Sequence, residues 1–187
     1  EMAAAILKEE LGSMGCVLVP IPGSACTSAG EATRTASLAH AAAGRLPGAH
    51  VFDGLRFDQP MHSAHNRQGS RDAASLYRHL VVHGSPPTDA PFVLVDDVLT
   101  TGGHLAAAAA RLRDVGAPVA LGVCGVSASR VAQPDPFARA VRWIDDYIAD
   151  ARGVRSYDVR LDAERVGARV VAVQADTLRD DPTSGEP

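Results

Sequence analysis

Phe92-Val93-Leu94-Val95 is an uninterrupted apolar run, followed at once by two acids, Asp96-Asp97. A strand apolar at every position is suited to burial on both faces, as in a parallel sheet covered by helices on each side. The chain continues as Val98-Leu99-Thr100-Thr101-Gly102-Gly103-His104 into a segment where Leu105, Ala108, Ala109, Leu112 and Val115 share one helical face. Gly116 is placed to end that helix. The sequence therefore predicts a buried strand, a hydroxyl- and glycine-rich turn, and a helix over 105–115.

Strands and helices alternate around this unit. A short strand over 15–21 is closed by Pro20-Ile21-Pro22, and a small-residue loop occupies 23–27. Ser28 and Glu31 have the spacing of a capping box, which predicts a helix after them ending near Gly44. Pro47-Gly48 marks a turn, 51–57 a strand, and 84–91, with three prolines, a surface connection. Residues 58–72 are polar and aperiodic, the kind of excursion that serves as a functional loop or flexible lid; a helical or strand-like piece follows to about Val82. Further on, 119–126 reads as a strand, 137–151 as a helix and 168–173 as a last strand. The pattern predicts an α/β fold with a mainly parallel sheet flanked by helices. It is expected as one domain over 1–181, with 182–187 a frayed tail.

Composition narrows the function classes. At 187 residues, 46% hydrophobic and 21% charged, the chain has the balance of a soluble globular protein. The net charge is −4 and no Lys/Arg-rich stretch occurs, so nucleic acid is not expected as the main partner. The apolar start at 2–7 is too short to span a bilayer, so no membrane association is expected. Three cysteines without a C-x-x-C pair fit reduced thiols in a cytoplasmic protein.

The turn after the 92–95 strand carries the chemistry. In open α/β sheets ligands sit beyond the carboxyl ends of the strands, and a helix N-terminus there favours an anion. Gly102 and Gly103 let the backbone close around a phosphate, while Thr100 and Thr101 add hydroxyl donors. Asp96 and Asp97 would repel that phosphate at contact, but as acceptors they suit the diol of a sugar some ångströms away. One site with both parts reads as a binder of ribose 5-phosphate compounds. There is no G-x-x-x-x-G-K-S/T and no G-x-G-x-x-G after a strand, so neither a P-loop nor a dinucleotide fingerprint is present. A bare metal pair leaves the glycine turn unexplained. The plain alternative is a strand ending in two solvated aspartates and an ordinary turn.

Four apolar residues, two acids, an apolar pair and Thr-Thr-Gly-Gly resemble the signature that binds 5-phosphoribosyl-1-diphosphate (PRPP) in type I phosphoribosyltransferases. The close match covers about a dozen residues. A looser similarity, from about Val17 to Val126 with Val19-Pro20-Ile21-Pro22 near its start, is nearest the ComF-like, amidophosphoribosyltransferase-related group. The resemblance implies a type I phosphoribosyltransferase fold with a lid and a small hood, the latter expected from the chain ends or 127–150. It implies that Asp96 and Asp97 hold the ribose hydroxyls, and that Val98, Thr100, Thr101, Gly102, Gly103 and His104 border the 5-phosphate cradle. The turn containing Gly23 and Ser24 would take pyrophosphate, with Arg67 and Arg71 of the lid available to it. Mg2+ would be held on substrate oxygens, with Asp96 and Asp97 as its nearest protein groups. A homodimer is expected by analogy alone.

Two positions depart from the family's pattern. His104 stands where Ser or Thr is usual; it still donates an N–H and, when protonated, adds charge. Residues 20–33 contain no Lys or Arg, and Arg34 falls in the predicted helix beyond the loop. That departure keeps two rivals open: a ligand-sensing or interaction module without catalysis, and a hydrolase or lyase of a ribose 5-phosphate compound. His62 and His65 as a metal pair, Cys26 as a reactive thiol, and Trp143 as a base-stacking residue are minor readings. Surface histidines, an inert thiol, and core or dimer contacts by Trp143 with Tyr147 are the simpler ones.

Overall fold

The run at 92–95 is buried on both faces: none of Phe92, Val93, Leu94 and Val95 is more than 2% exposed. The computed structural model describes residues 2–12, 14–28, 30–61, 73–87, 89–127, 139–143 and 169–174. Along them the chain forms α1 (Met2–Leu11), β1 (Val17–Pro20), α2 (Arg34–Ala43), β2 (His50–Val51), β3 (Leu55–Phe57), α3 (Ala73–His79) and β4 (Leu80–Val82). It continues as β5 (Phe92–Leu99), α4 (Gly103–Asp114), β6 (Val119–Ser127), β7 (Arg139–Trp143) and β8 (Arg169–Gln174).

The main sheet has the order β2-β1-β5-β6-β8-β7, and β3 pairs with β4 in a separate two-stranded sheet. Every pairing in the main sheet is parallel except β7 with β8. The fold is α/β, with a mainly parallel sheet flanked by helices, as the sequence predicts.

Strand side chains alternate between two apolar layers. Val17, Val19, Phe92 and Leu94 pack in the layer containing α4, while Leu18, Val93 and Val95 pack in the layer containing Ala39 and Ala42 of α2 and Leu7 of α1. Val119 and Leu121 of β6, two apart, nevertheless fall in opposite layers. The register explains this: Phe92 pairs with Val119 but Val93 with Leu121, so Ala120 is an extra residue that flips the strand's phase.

From β1 the chain passes through α2 to β2 on one side; from β5 it passes through α4 to β6 on the other. Neighbouring parallel strands whose connections depart in opposite directions leave a crevice beyond their C-terminal ends. Pro20 pairs with Val95, and the Ile21 N–H donates to the Val95 carbonyl at 2.9 Å, so β1 gives way to its loop where β5 reaches Asp96.

Several boundaries differ from expectation. The helix predicted over 137–151 is in part a strand: Arg139–Trp143 pairs antiparallel with β8, its β-branched and aromatic residues suiting an added strand; 144–151 lie outside the described residues. The strand predicted over 51–57 is broken. A side chain at Gly54 would lie 2.4 Å from Phe52 Cζ and 2.5 Å from the His83 carbonyl oxygen, and there the chain leaves one sheet for the other. Only half of the capping box forms, with the Ser28 N–H donating to Glu31 Oε1 at 3.0 Å. The cap of α2 is instead Thr33, whose Oγ1 accepts the Ala36 N–H at 3.0 Å. Of the segments expected to supply a hood, α1 packs on α2 and β6 and β7 extends the sheet. Residues 62–72, including Arg67, Arg71, His62 and His65, lie outside the described residues, as do Tyr147 and the tail at 182–187.

Candidate functional site

β5 does not stop before the acidic pair. It runs on through Leu99, with Asp96 opposite Cys124, Val98 opposite Val126 and Leu99 opposite Ser127 on β6. Because side chains alternate along a strand, the adjacent carboxylates face different ways. Asp96, in phase with Phe92 and Leu94, joins the α4 side; Asp97, in phase with Val93 and Val95, faces the α2 side, where its Oδ2 lies 3.6 Å from Arg34 Nη1. Close packing holds the strand there, since a Cβ on Gly125 of β6 would come within 3.1 Å of the Asp97 carbonyl oxygen.

The turn reverses at Gly102, whose φ of +80° is a left-handed conformation that L side chains rarely adopt. Gly102 is the N-cap of α4 and no side chain caps that helix, in contrast to Thr33 on α2. Gly102 itself has no side chain with which to accept a first-turn N–H of α4. Before that turn lies a shallow, open notch lined by Asp96, Val98, Leu99, Thr100, Gly102, Gly103, His104 and Leu105. The sequence named six of these eight; Leu99 and Leu105 complete the apolar floor. Thr101 is exposed, and neither it nor Asp97 lines the notch.

Burial pushes the Asp96 carboxyl up to about 7, and the adjacent Asp97 carboxylate adds to the rise. The Asp97 N–H, donating to Asp96 Oδ1 at 2.9 Å, works the other way but does not offset the loss of solvation. Asp96 thus changes charge near neutrality inside the notch. Such perturbed groups cluster at functional sites, although a buried structural acid gives the same signature.

Beyond β1, the loop at 21–28 is bound to its surroundings largely through the backbone. The Cys26 N–H donates to the Gly23 carbonyl at 2.8 Å, Phe57 N–H to the Cys26 carbonyl at 3.0 Å, and Met61 N–H to the Ser24 carbonyl at 2.6 Å. Arg56, 1% exposed, donates from Nε to the Ser28 carbonyl at 2.5 Å and from Nη1 to Asp53 Oδ1 at 2.8 Å. Thr35 Oγ1 ties the start of α2 to the Ile21 carbonyl at 2.7 Å. Gly23 and Ser24 therefore sit in a fixed turn at the crevice, and a Cβ on Gly23 would meet nothing within 4 Å.

The remaining candidates are less engaged. Cys26 is buried, and burial raises its thiol against the pull of Arg56, the opposite of an activated thiolate. Trp143 lies on β7 rather than on a helix. No cluster of three or more His, Cys, Asp or Glu able to hold a metal occurs among the described residues. No helix among them is long and apolar enough to cross a membrane. Sequence reasoning placed Arg34 beyond the loop and missed the Arg56–Asp53 clamp. Thr33, a good N-cap residue directly before Arg34, was the signal that α2 starts there and presents Arg34 to the crevice.

No family model matches the chain, and no curated protein matches it. Among solved structures, the chain is similar to the orotate phosphoribosyltransferase from Aeropyrum pernix at 22% identity and a TM-score of 0.46, over 93% of this chain and 70% of that one. A likeness this distant leaves the assignment of the site to its residues and geometry.

Proposed function

We propose that this protein binds PRPP in a type I phosphoribosyltransferase-like fold and transfers its phosphoribosyl group to a small-molecule acceptor, displacing pyrophosphate. One observation carries the reading: a single notch at the sheet's switch point combines an acceptor carboxylate, Asp96, with a left-handed glycine turn and a helix N-terminus lacking a side-chain cap. A ligand seated across its mouth needs hydroxyl donors at one end and an anionic group at the other, which a ribose 5-phosphate provides. The 5-phosphate would accept from first-turn N–H groups of α4 and from Thr100; Thr101 and His104 are further donors at its rim. Asp96 would accept from the ribose diol, and Asp97 would reach it from the other side of the strand end.

In the reaction, the bond from the anomeric carbon to the pyrophosphate oxygen breaks as a bond to the acceptor forms, and the acceptor's proton passes to solvent. Charge develops on the leaving group, so fixed donors and cations facing it do the catalytic work. The turn at Gly23-Ser24, with Arg67 and Arg71, is assigned to that end. The residues present fit Mg2+ carried on substrate oxygens: hard oxygen donors are at hand in Asp96 and Asp97, with no protein cage among the described residues. When bound, the ion supplies charge neutralisation to the leaving group. A cytoplasmic homodimer, PRPP as the natural donor and one domain over 1–181 belong to the same reading.

The absence of Lys and Arg from 20–33 favours a second reading, a sensor of ribose 5-phosphate ligands without transfer chemistry. Thermal unfolding with ribose 5-phosphate, AMP, pyrophosphate, and PRPP with Mg2+ separates the two. Ligand at 100 times its dissociation constant adds about 2.7 kcal/mol, a shift of roughly 5–10 °C for a domain of this size. A Mg2+-dependent shift with PRPP, together with traced pyrophosphate release, is the transferase result. A shift with ribose 5-phosphate or AMP alone is the sensor result, and no shift with any ligand refutes both. Asp96→Asn combined with Asp97→Asn is expected to abolish PRPP binding while the fold is retained; undiminished affinity would refute the diol assignment.

A further inference from the structure

Arg34 occupies an electrostatically awkward place. It is the first residue of α2, where the helix's partial positive charge disfavours a cation. Its side chain is 90% exposed, so nothing in the core requires it there. Its guanidinium pairs with Asp97 at 3.6 Å, itself 38% exposed. A pair so open to water is weak and exchanges partners readily. Among the described residues, a second cation near this loop, Arg56, is buried and already bonded to Asp53 and to the Ser28 and Leu55 carbonyls.

The alternation of side chains along β5 adds the second half. Asp96 belongs to the notch before α4, whereas Asp97 is turned away from it toward α2. The two acids therefore have different surroundings. One lines the notch, and the other is engaged by an exposed guanidinium at the mouth of the loop beyond β1.

We infer that Arg34 is an anion-binding, specificity-determining residue that uses Asp97 as its resting counter-ion. A ligand with a second anionic group on the far side of its diol, a sugar 1-diphosphate, exchanges that anion for Asp97 on the guanidinium. The exchange frees the Asp97 carboxylate to accept from the diol. A ligand with only a 5-phosphate has nothing to offer Arg34, and Asp97 stays paired. Arg34 thereby provides, from the helix, the cation that 20–33 lacks, and links recognition of the two ends of one ligand. This rests on the ribose-phosphate reading for the identity of the ligand, but not for the anion site itself.

The test is calorimetric titration of the full chain with three probes: pyrophosphate without Mg2+, ribose 5-phosphate, and PRPP with Mg2+. Wild type is compared with Arg34→Ala, Arg34→Lys and Asp97→Asn. Arg34→Ala is expected to weaken pyrophosphate and PRPP by about tenfold or more, the usual effect of losing a charge-assisted contact, and to leave ribose 5-phosphate equal or tighter, because Asp97 is then free for the diol. Arg34→Lys restores part of the loss. Asp97→Asn has opposite effects on two probes: pyrophosphate binds more tightly, because the guanidinium has lost its competitor, whereas PRPP binds more weakly, because its diol loses the carboxylate that the exchange would free. A purely structural role for either residue would not produce that crossed pattern. Equal pyrophosphate affinity in wild type and Arg34→Ala, or weaker pyrophosphate binding in Asp97→Asn, overturns the inference. Wild type binding ribose 5-phosphate but neither pyrophosphate nor PRPP overturns it while the sugar-phosphate reading stands. Arg34-dependent pyrophosphate binding without ribose 5-phosphate binding does the reverse, and binding of no probe overturns both.

Discussion

The buried guanidinium of Arg56 and the backbone carbonyl of Ser28 meet at 2.5 Å, fastening the loop after β1 to β3. The same side chain reaches the Leu55 carbonyl at 2.6 Å, the Asp53 carbonyl at 2.9 Å and the Asp53 carboxylate at 2.8 Å. A planar fork with five donors makes all of these contacts at once, which a lysine ammonium cannot do. Arg56→Met would leave three carbonyls and a partly buried carboxylate without this donor. It is expected to destabilise the protein by about 3–5 kcal/mol, the range for breaking a buried ion pair on one side. Arg56→Lys should recover little of it. Urea unfolding measures both, and a loss below about 1 kcal/mol would mean that water replaces the clamp.

Asp96 trades stability for its position. Its folded pKa, about 7, lies above the ordinary carboxylate value of 3.8. Between those values the folded state holds a proton that the unfolded state has released, so stability falls as pH rises through that window and levels off above it. The penalty at pH 8 is bounded at about 4 kcal/mol from the size of the shift, less whatever solvent screening relieves. Asp96→Asn keeps an acceptor for the Asp97 N–H and has no charge to bury. The variant is expected to melt higher than wild type at pH 8 and level with it near pH 3, below both values. It is also expected to lose ribose 5-phosphate affinity, in which the wild type gains as pH rises through about 7. Parallel melting curves of the two proteins across that range would rule out a buried titrating carboxyl.

Gly102 sets the direction in which α4 presents its first N–H groups. With φ at +80°, Gly102→Ala is expected to lose about 1–2 kcal/mol of stability, because L residues are disfavoured in the left-handed region. Gly102→Asn should lose less, since Asn visits that region most readily after glycine. If the turn cradles a phosphate, ribose 5-phosphate affinity falls in the same order, Ala before Asn. Titration of the two variants beside their urea midpoints checks both rankings, and an Ala variant with full affinity would remove the turn from the site.

The parts of this architecture that are local in sequence were legible, and the parts made by pairing at a distance were not. Phe92 to Val95 announced a doubly covered strand because no polar residue interrupts it. Thr100 to Gly103 announced a turn into a helix because of the chemistry at those four positions. The continuation of β5 through Asp96 and Asp97 was hidden, since two adjacent acids read as a strand end unless β6 is known to lie alongside. That missed continuation also hid the division of the two carboxylates between opposite faces. Arg34 could not be joined to Asp97 without knowing that β1 and β5 are neighbours. At 139–143 the pairing with β8 overrode a segment that reads as a helix, as tertiary context does with weak local preferences. Thr33 was the one overlooked local signal, outcompeted on paper by a Ser28–Glu31 pair that forms only one of its two bonds.

Tyr77 couples α3 to α4, and α3 is the first described element after the segment assigned as the lid. The Arg111 guanidinium lies 4.0 Å above the centre of its ring, and Arg111 Nη2 donates to the Tyr77 carbonyl at 2.6 Å. The Tyr77 hydroxyl donates to Asp114 Oδ2 one helical turn further along. Two kinds of attraction thus act through one side chain, and substitutions separate them. Tyr77→Phe keeps the ring under the guanidinium and removes the hydroxyl; it is expected to cost about 1–2 kcal/mol, typical for a hydrogen bond to a charged acceptor. Tyr77→Leu removes the ring face as well and should cost roughly 1 kcal/mol more, the scale of a partly desolvated cation–π contact. Arg111→Met in the Tyr77→Leu background should then add less than it does in wild type, because the partner is already gone. Strictly additive losses in that double-mutant cycle would show that ring and guanidinium are neighbours without coupling, leaving Asp114 as the tie between the helices.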